Sequence, residues 1–318
     1  WDLWHGRMAH QGDAVLNHMM SHEQASGIPK LRHYTPRGSK CLSCDMGKST
    51  MKHVGDVKYT DKVKMNKATV EKALEEDTKY YPLQQVHLDC CDMCTPDIHG
   101  NNQFLIIVDR ATKYVWLRPF DNREDGAIVD IVEEWITDVV RPYHAHRINH
   151  RILEDETLAT LKYRYKETDK RKRLKLLLTD IDLMVQDLLS GLKMIRTDSG
   201  TEFLNKKMKL MLAKHKVNHR TTAREVKDAT AESHIRRVTT LTRTCLIAAG
   251  LKKCFWSGLA DMAVHTLNRS HNASINGVPY SEMFGLKPDL SYALVLWITV
   301  PGRTGPRRNS TGPTAITV

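Results

Sequence analysis

A mixed α/β fold standing behind a small metal-binding helical module is what this sequence predicts, on three observations. Three apolar runs rich in β-branched and aromatic residues, 85–91 (QVHLDCC), 103–109 (QFLIIVD) and 113–119 (KYVWLRP), follow one another across short polar connections, as hairpin strands do. An amphipathic stretch at 124–140 and a further alternating run at 193–197 come next, so strands and helices share one segment. Ahead of all of these, two histidines and a Cys-x-x-Cys pair fall within the first fifty residues.

The first element is LWHGRMAHQG, where four residues separate His5 from His10, close to one helical turn. About thirty residues further on, KCLSCDMGK sets Cys41 and Cys44 in a knuckle. Two imidazoles and two thiolates make a closed tetrahedral set that suits Zn²⁺, and four protein ligands leave no open position, so the site is structural rather than catalytic. Few large apolar residues lie between Asp13 and Ser39, so the segment is expected to need its metal to fold. A second Cys-x-x-Cys, Cys91 to Cys94, has no matching histidines and reads as ordinary packing.

Residues 56–84 are polar, dense in lysine between Lys58 and Lys72, and read as a partly helical linker. In the strand that follows, Asp89 interrupts an apolar run. A carboxylate is costly to bury unpaired, so it either meets solvent on an edge or faces a metal. The strand KMIRT (193–197) ends on Asp198-Ser199-Gly200, where Asp198 is either a turn residue or a metal ligand. EFLNKKMKLMLAKH then predicts a helix with Phe203, Met208, Met211 and Leu212 on one side, and VNHRTT (217–222) a short strand. Residues 228–250 predict a long helix with Asp228 as N-cap and Glu232 in its first turns. Such a glutamate ordinarily compensates the helix dipole.

Composition narrows the partners. The 318 residues hold 48 Lys and Arg against 37 Asp and Glu, a formal charge of +11, which favours a polyanion. No apolar run approaches the length of a membrane span, and His5, Arg7, His10 and His18 break up the first twenty residues, so neither a span nor a secretory signal is visible. Seven clustered cysteines suit a reducing compartment and metal ligation better than a disulfide scaffold. The chain begins at Trp1, as a piece of a longer polyprotein would.

Seven segments occur in one order: LWHGRMAH with CLSCDMGK, VHLDCCDM, FLIIVDRATKYVW, KMIRTDSGTEF, ATAESHIRR, FWSGLADMAVHTLNRS and VPYSEMFGLKPDLS. In that order the chain resembles the integrase of copia-type long-terminal-repeat retrotransposons over roughly residues 1–291. The resemblance implies a ribonuclease-H-like mixed sheet with flanking helices, in which Asp89, Asp198 and Glu232 match the three catalytic carboxylates. It implies two Mg²⁺ (or Mn²⁺) ions held by those carboxylates, for in-line displacement at phosphorus that first trims a DNA end and then joins it to target DNA. Arg196, Arg236 and Arg237 would position phosphates by charge. DNA is the implied partner, in a homo-oligomer without membrane attachment. Nuclear action follows from the family's task, with Lys170–Arg173 as a basic run.

The chain also departs from that family. Asp198 and Glu232 enclose 33 residues, two fewer than usual, and the loop Arg224–Ala229 lacks the expected glycine and amides. The stretch 141–190 is far longer than the family's connection, with eleven Lys and Arg against five Asp and Glu in 141–178 and a helical pattern at 179–189. Beyond residue 291 a Pro- and Gly-rich tail has no periodicity. The expected organisation is therefore a zinc module (1–55), a charged linker (56–84), a catalytic core (85–290) with an insertion at 141–190, and an irregular tail (291–318). Two functions remain open at this point: an active polynucleotidyl transferase, or an impaired relic that binds zinc and nucleic acid.

Overall fold

The computed structural model describes residues 2–30, 40–49, 80–121, 126–145, 191–221 and 229–293. Most of the linker, the basic run, the helix pattern at 179–189, Glu225 and Asp228 in the loop before the long helix, and the tail beyond Ala293 lie outside them.

A five-stranded mixed sheet forms the centre. Its strands are β1 (Gln85–Asp92), β2 (Gln103–Asp109), β3 (Val115–Phe120), β4 (Met194–Thr197) and β5 (Asn218–Thr221), in the order β3-β2-β1-β4-β5. The β1–β2 and β2–β3 pairs are antiparallel, as short polar connections require, whereas β4 and β5 run parallel to β1. Alternation along the strands builds two cores. Val86, Leu88, Leu105, Ile107 and Ile195 face one side, while Phe104, Ile106, Val108, Val115 and Leu117 face the other.

The first side is covered by α4 (Ala127–Trp135), with Val129, Val132 and Trp135 buried, and by two helices where the sequence suggests one. These are α5 (Thr201–Leu204) and α6 (Lys206–Lys214), divided at Asn205, whose side-chain oxygen accepts the amide of Met208 at 2.7 Å and caps α6. Phe203, Met208, Met211 and Leu212 still reach the same core. A π-helical turn, Ile136–Val140, prolongs α4.

The second side is covered by α7 (Ala229–Ala249) and α8 (Trp256–Asn268). On α7 the stripe Ala231, His234, Val238, Leu241 and Cys245 is buried, as a 3.6-residue period demands. Asn268 ends α8 by giving its amide to the Val115 carbonyl and accepting the Val115 N–H, both at 2.8 Å, which satisfies the outer edge of β3. Asp109, fully buried, accepts the amides of Leu83 and Thr112 and the Thr112 hydroxyl at 2.8 Å each, fixing the turn between β2 and β3.

Before the sheet stand α1 (Asp2–Arg7), α2 (Asp13–Ser21) and α3 (Leu42–Lys48). This segment has more apolar substance than the sequence suggests: Trp4, Met8, Leu16, Met19 and Met20 form a cluster that Leu290 closes from the far end of the described chain. Ser26 exchanges backbone hydrogen bonds with Pro288 and Leu290, both at 3.0 Å. The helix α3 packs on α7, where Arg243 donates to the carbonyl of Gly47. No described helix is long and apolar enough to cross a membrane. The last described helix, α9 (Pro279–Phe284), sends Met283 into the first core.

Candidate functional site

Two places collect ligand-type side chains, and they differ in completeness. In the first, His5, His10, Cys41 and Cys44 bring one donor atom each to within 4.8 Å of one another, the one such group among the described residues. His5 Nε2 lies 3.2 Å from Cys44 Sγ, and His10 Nδ1 lies 3.5 Å from Cys41 Sγ and 3.8 Å from Cys44 Sγ. With Zn–S and Zn–N bonds of about 2.3 and 2.0–2.1 Å, a tetrahedral ion requires N···S edges of about 3.6 Å. The observed edges bracket that value, so the four residues can hold a metal such as zinc.

The geometry of His10 differs from the one-turn spacing read in the sequence. Residues five apart on a helix point about 140° away from each other, so a continuous helix would separate the two rings. Instead α1 ends at Arg7, and Ala9 (φ 48°) and His10 (φ 60°) turn left-handed. The turn returns the His10 amide to the His5 carbonyl at 2.8 Å and sets the two rings edge to face, 4.9 Å apart. Two successive non-glycine residues in this region are strained, and they persist because the surroundings hold them. Ala9 is wholly buried against Cys245 and Leu259, and Lys48 donates to the His10 carbonyl at 2.7 Å. Burial pushes the Cys44 thiol up to about 11, against the opposing charge of Lys48. A cation is what would restore its thiolate. His5 is almost completely buried, and its Nδ1 lies 4.0 Å from the Asp13 carboxylate, beyond hydrogen-bonding distance.

The second place is the middle of β1 beside the carboxyl end of β4. Their parallel register pairs Val86 with Ile195 and His87 with Arg196. Continued by two residues, it sets Asp89 level with Asp198. Side-chain alternation turns Asp89 toward the face that α7 covers, because Val86 and Leu88 occupy the other face, while Asp198 lies just past the last residue of β4. Asp198 also serves its turn: its Oδ1 accepts the Gly200 amide at 3.0 Å, while the Thr197 hydroxyl, 2.9 Å from His219 Nε2, donates to the Asp198 carbonyl. Asp89 Oδ1 accepts the Cys90 amide at 2.9 Å. The Cys90 thiol registers the charge gathered here, its pKa pushed far up by burial and then by the carboxylates of Glu202, Asp89, Asp198 and Asp92.

Glu232 is the third carboxylate singled out in the sequence. It lies half-exposed on the first turn of α7 and accepts from Arg236 Nη2, one turn along, at 3.3 Å. Asp89, Asp198 and Glu232 do not form a closed three-ligand group among the described residues. Glu202, one turn beyond Asp198 and not singled out in the sequence, is the carboxylate felt most strongly by Cys90. Its signal was the four-residue spacing from Asp198 across a glycine. Cys91 packs against the second core and Cys94 is exposed, with no histidine completing a set.

Against known proteins, no family model matches the chain and no curated protein matches it.

Proposed function

We propose that this chain is an integrase-type polynucleotidyl transferase with a ribonuclease-H-like core, acting on DNA with a divalent metal. The reading rests on the parallel register of β1 with β4, which, extended two residues past its last pair, sets Asp89, midway along β1, level with Asp198, just past the end of β4. The strand order β3-β2-β1-β4-β5, with three antiparallel strands continued by two parallel ones, supports the named fold. The formal charge of +11 supports a nucleic-acid partner, and the seven ordered segments support the family.

The roles follow from residue chemistry. Asp89 and Asp198 offer hard carboxylate oxygens that would hold Mg²⁺ or Mn²⁺, and such an ion would neutralise charge on the leaving oxygen and lower the pKa of the attacking one. The hydrogen bonds from Gly200 and Cys90 fix one oxygen of each carboxylate, so the pair is pre-positioned. Glu232 would complete the set once Arg236 releases it, as DNA phosphates bind that arginine. The pairing of Glu232 with Arg236 also favours the alternative, an impaired relic, because a carboxylate engaged by a guanidinium is not ready to take a metal ion, and a misplaced ligand costs rate steeply. The same reading implies a homo-oligomeric assembly on DNA and nuclear action.

Joining assays with duplex DNA ends, in Mg²⁺ and in Mn²⁺, test the reading. Weak joining that Asp198→Asn removes supports the enzyme. Zinc-dependent DNA binding with no joining in either metal supports the relic.

A further inference from the structure

Three imidazoles stack where α2 meets the turn that follows α8. His18, in the last turn of α2, lies against His22 with ring centroids 4.0 Å apart and planes inclined by 13°, and against His271 at 3.7 Å and 22°. Two rings that close cannot share one face of a third, so His18 is the middle of the stack. His18 and His22 belong to the metal module and His271 to the core, and none of them is in the histidine–cysteine group. The stack therefore joins the two parts of the molecule across a seam.

Protonation acts on this stack in one direction. His18 Nδ1 donates to Gln24 Oε1 at 3.3 Å and His22 Nδ1 to the His18 carbonyl at 3.0 Å, which leaves Nε2 of each ring to take a second proton. The C-terminus of α2 favours a cation at both positions. Charge there falls on the face of His271, whose Nδ1 is buried without a hydrogen-bond partner. Salt screens little over such a contact, because the screening length is about 8 Å at physiological ionic strength. The acidic groups of the adjoining segments are engaged: Glu23 pairs with Lys30, with Lys287 also near it, and Asp289 accepts the Ser291 amide at 2.9 Å and the Ser26 hydroxyl at 3.4 Å. On the core side, Arg269 lies over the Tyr280 ring at 4.8 Å, and its charge bears on His265. Burial foremost, then His18 and His22, lowers the pKa of His271. The released ring thus binds a proton more readily than the stacked one, so the stack stabilises the seam fully above pH 6.5 and loses that contribution as pH falls below it.

We propose that the His18–His22–His271 stack is an acid-released clasp between the metal module and the core. With the rings neutral, α2 is held against the turn after α8; with charge on two of them, that seam opens. The backbone hydrogen bonds of Ser26 with Pro288 and Leu290, and the packing of Ala9 on Cys245 and Leu259, hold no group that titrates near pH 6, so the opening is confined to the C-terminal half of α2. The clasp is independent of any reaction at Asp89 and Asp198.

The test is amide hydrogen exchange of the full zinc-loaded chain at about pH 7.5 and about pH 5.5, at constant ionic strength, corrected for the intrinsic pH dependence of exchange and with zinc content measured on the same samples. In the wild type, protection of Leu16 to Ser21 is expected to fall at the lower pH, by up to about tenfold per pH unit for each proton taken up on opening, while β2 stays protected. His271→Phe keeps a ring in the stack and removes its charge, so α2 should stay protected at both values. His22→Gln takes one charge from the exposed end and should shrink the loss, which keeps the clasp testable if His271→Phe does not fold. Unchanged protection in the wild type overturns the proposal. An equal loss in the wild type and the folded variants also overturns it, and if that loss tracks zinc release, the pH sensitivity belongs to the metal ligands instead.

Discussion

Asp198 answers in two ways a question its sequence poses as a choice, because it caps its own turn through Gly200 and also stands level with Asp89. Both uses need the same short carboxylate at the end of β4. His234 carries the residue-scale prediction. Its Nδ1 donates to the Thr230 carbonyl at 2.8 Å, while its buried Nε2 faces a cationic neighbourhood of Arg237, Lys113 and His87. Burial foremost pulls its pKa from 6.5 to about 4. The unfolded chain therefore binds more protons between those values, and stability falls as pH drops from 6.5 to about 4, with no further loss below. The share due to this residue is up to about 3 kcal/mol. Urea midpoints at the two ends of that window should converge in His234→Gln relative to the wild type; an unchanged pH slope would contradict the assignment. At this scale the four metal ligands were legible, because residue type and spacing are local. The histidine stack, Glu202 and the left-handed turn were not, because each is defined by what a distant segment places beside it.

The helices show where periodicity suffices and where it stops. Strand alternation predicts β1, β2 and β3 to within a residue or two, and the stripe on α7 follows from one sequence period. The division of α5 from α6 was missed because a single Asn205 side chain chose to cap rather than continue. The docking of α3 on α7 was also invisible, being a contact between residues about two hundred positions apart. Gly47 makes that contact possible: a Cβ there would lie 2.7 Å from the Thr244 Cα and closer still to its hydroxyl. The backbone of α7 cannot yield, so Gly47→Val is expected to cost about 1–3 kcal/mol by overpacking and to loosen α3. Thermal unfolding monitored by circular dichroism checks this; a variant as stable as the wild type would mean that α3 does not seat on α7.

Across the whole molecule, the metal module is part of the same packed body as the sheet rather than a bead ahead of it. Leu290 completes the module's apolar cluster, Ser26 binds Pro288 and Leu290, and Ala9 packs with Cys245 and Leu259. Metal binding is therefore expected to support α7 and α8 as well as its own ligands. Chelation should speed amide exchange in the second half of α7, from Leu241 to Ala249, while β2 stays protected; equal protection with and without chelator would show the two parts to be energetically separate. This docking was not legible in the sequence, because linker residues separate the module from the core along the chain, and chain distance says nothing of docking. The central claim is that Asp89 and Asp198, brought level by the parallel pairing of β1 with β4, hold a divalent cation. Electron paramagnetic resonance of Mn²⁺ titrated into the zinc-loaded chain tests it most directly. One bound manganese ion that is lost in both Asp89→Asn and Asp198→Asn is the predicted result, and manganese bound undiminished by Asp198→Asn would contradict it.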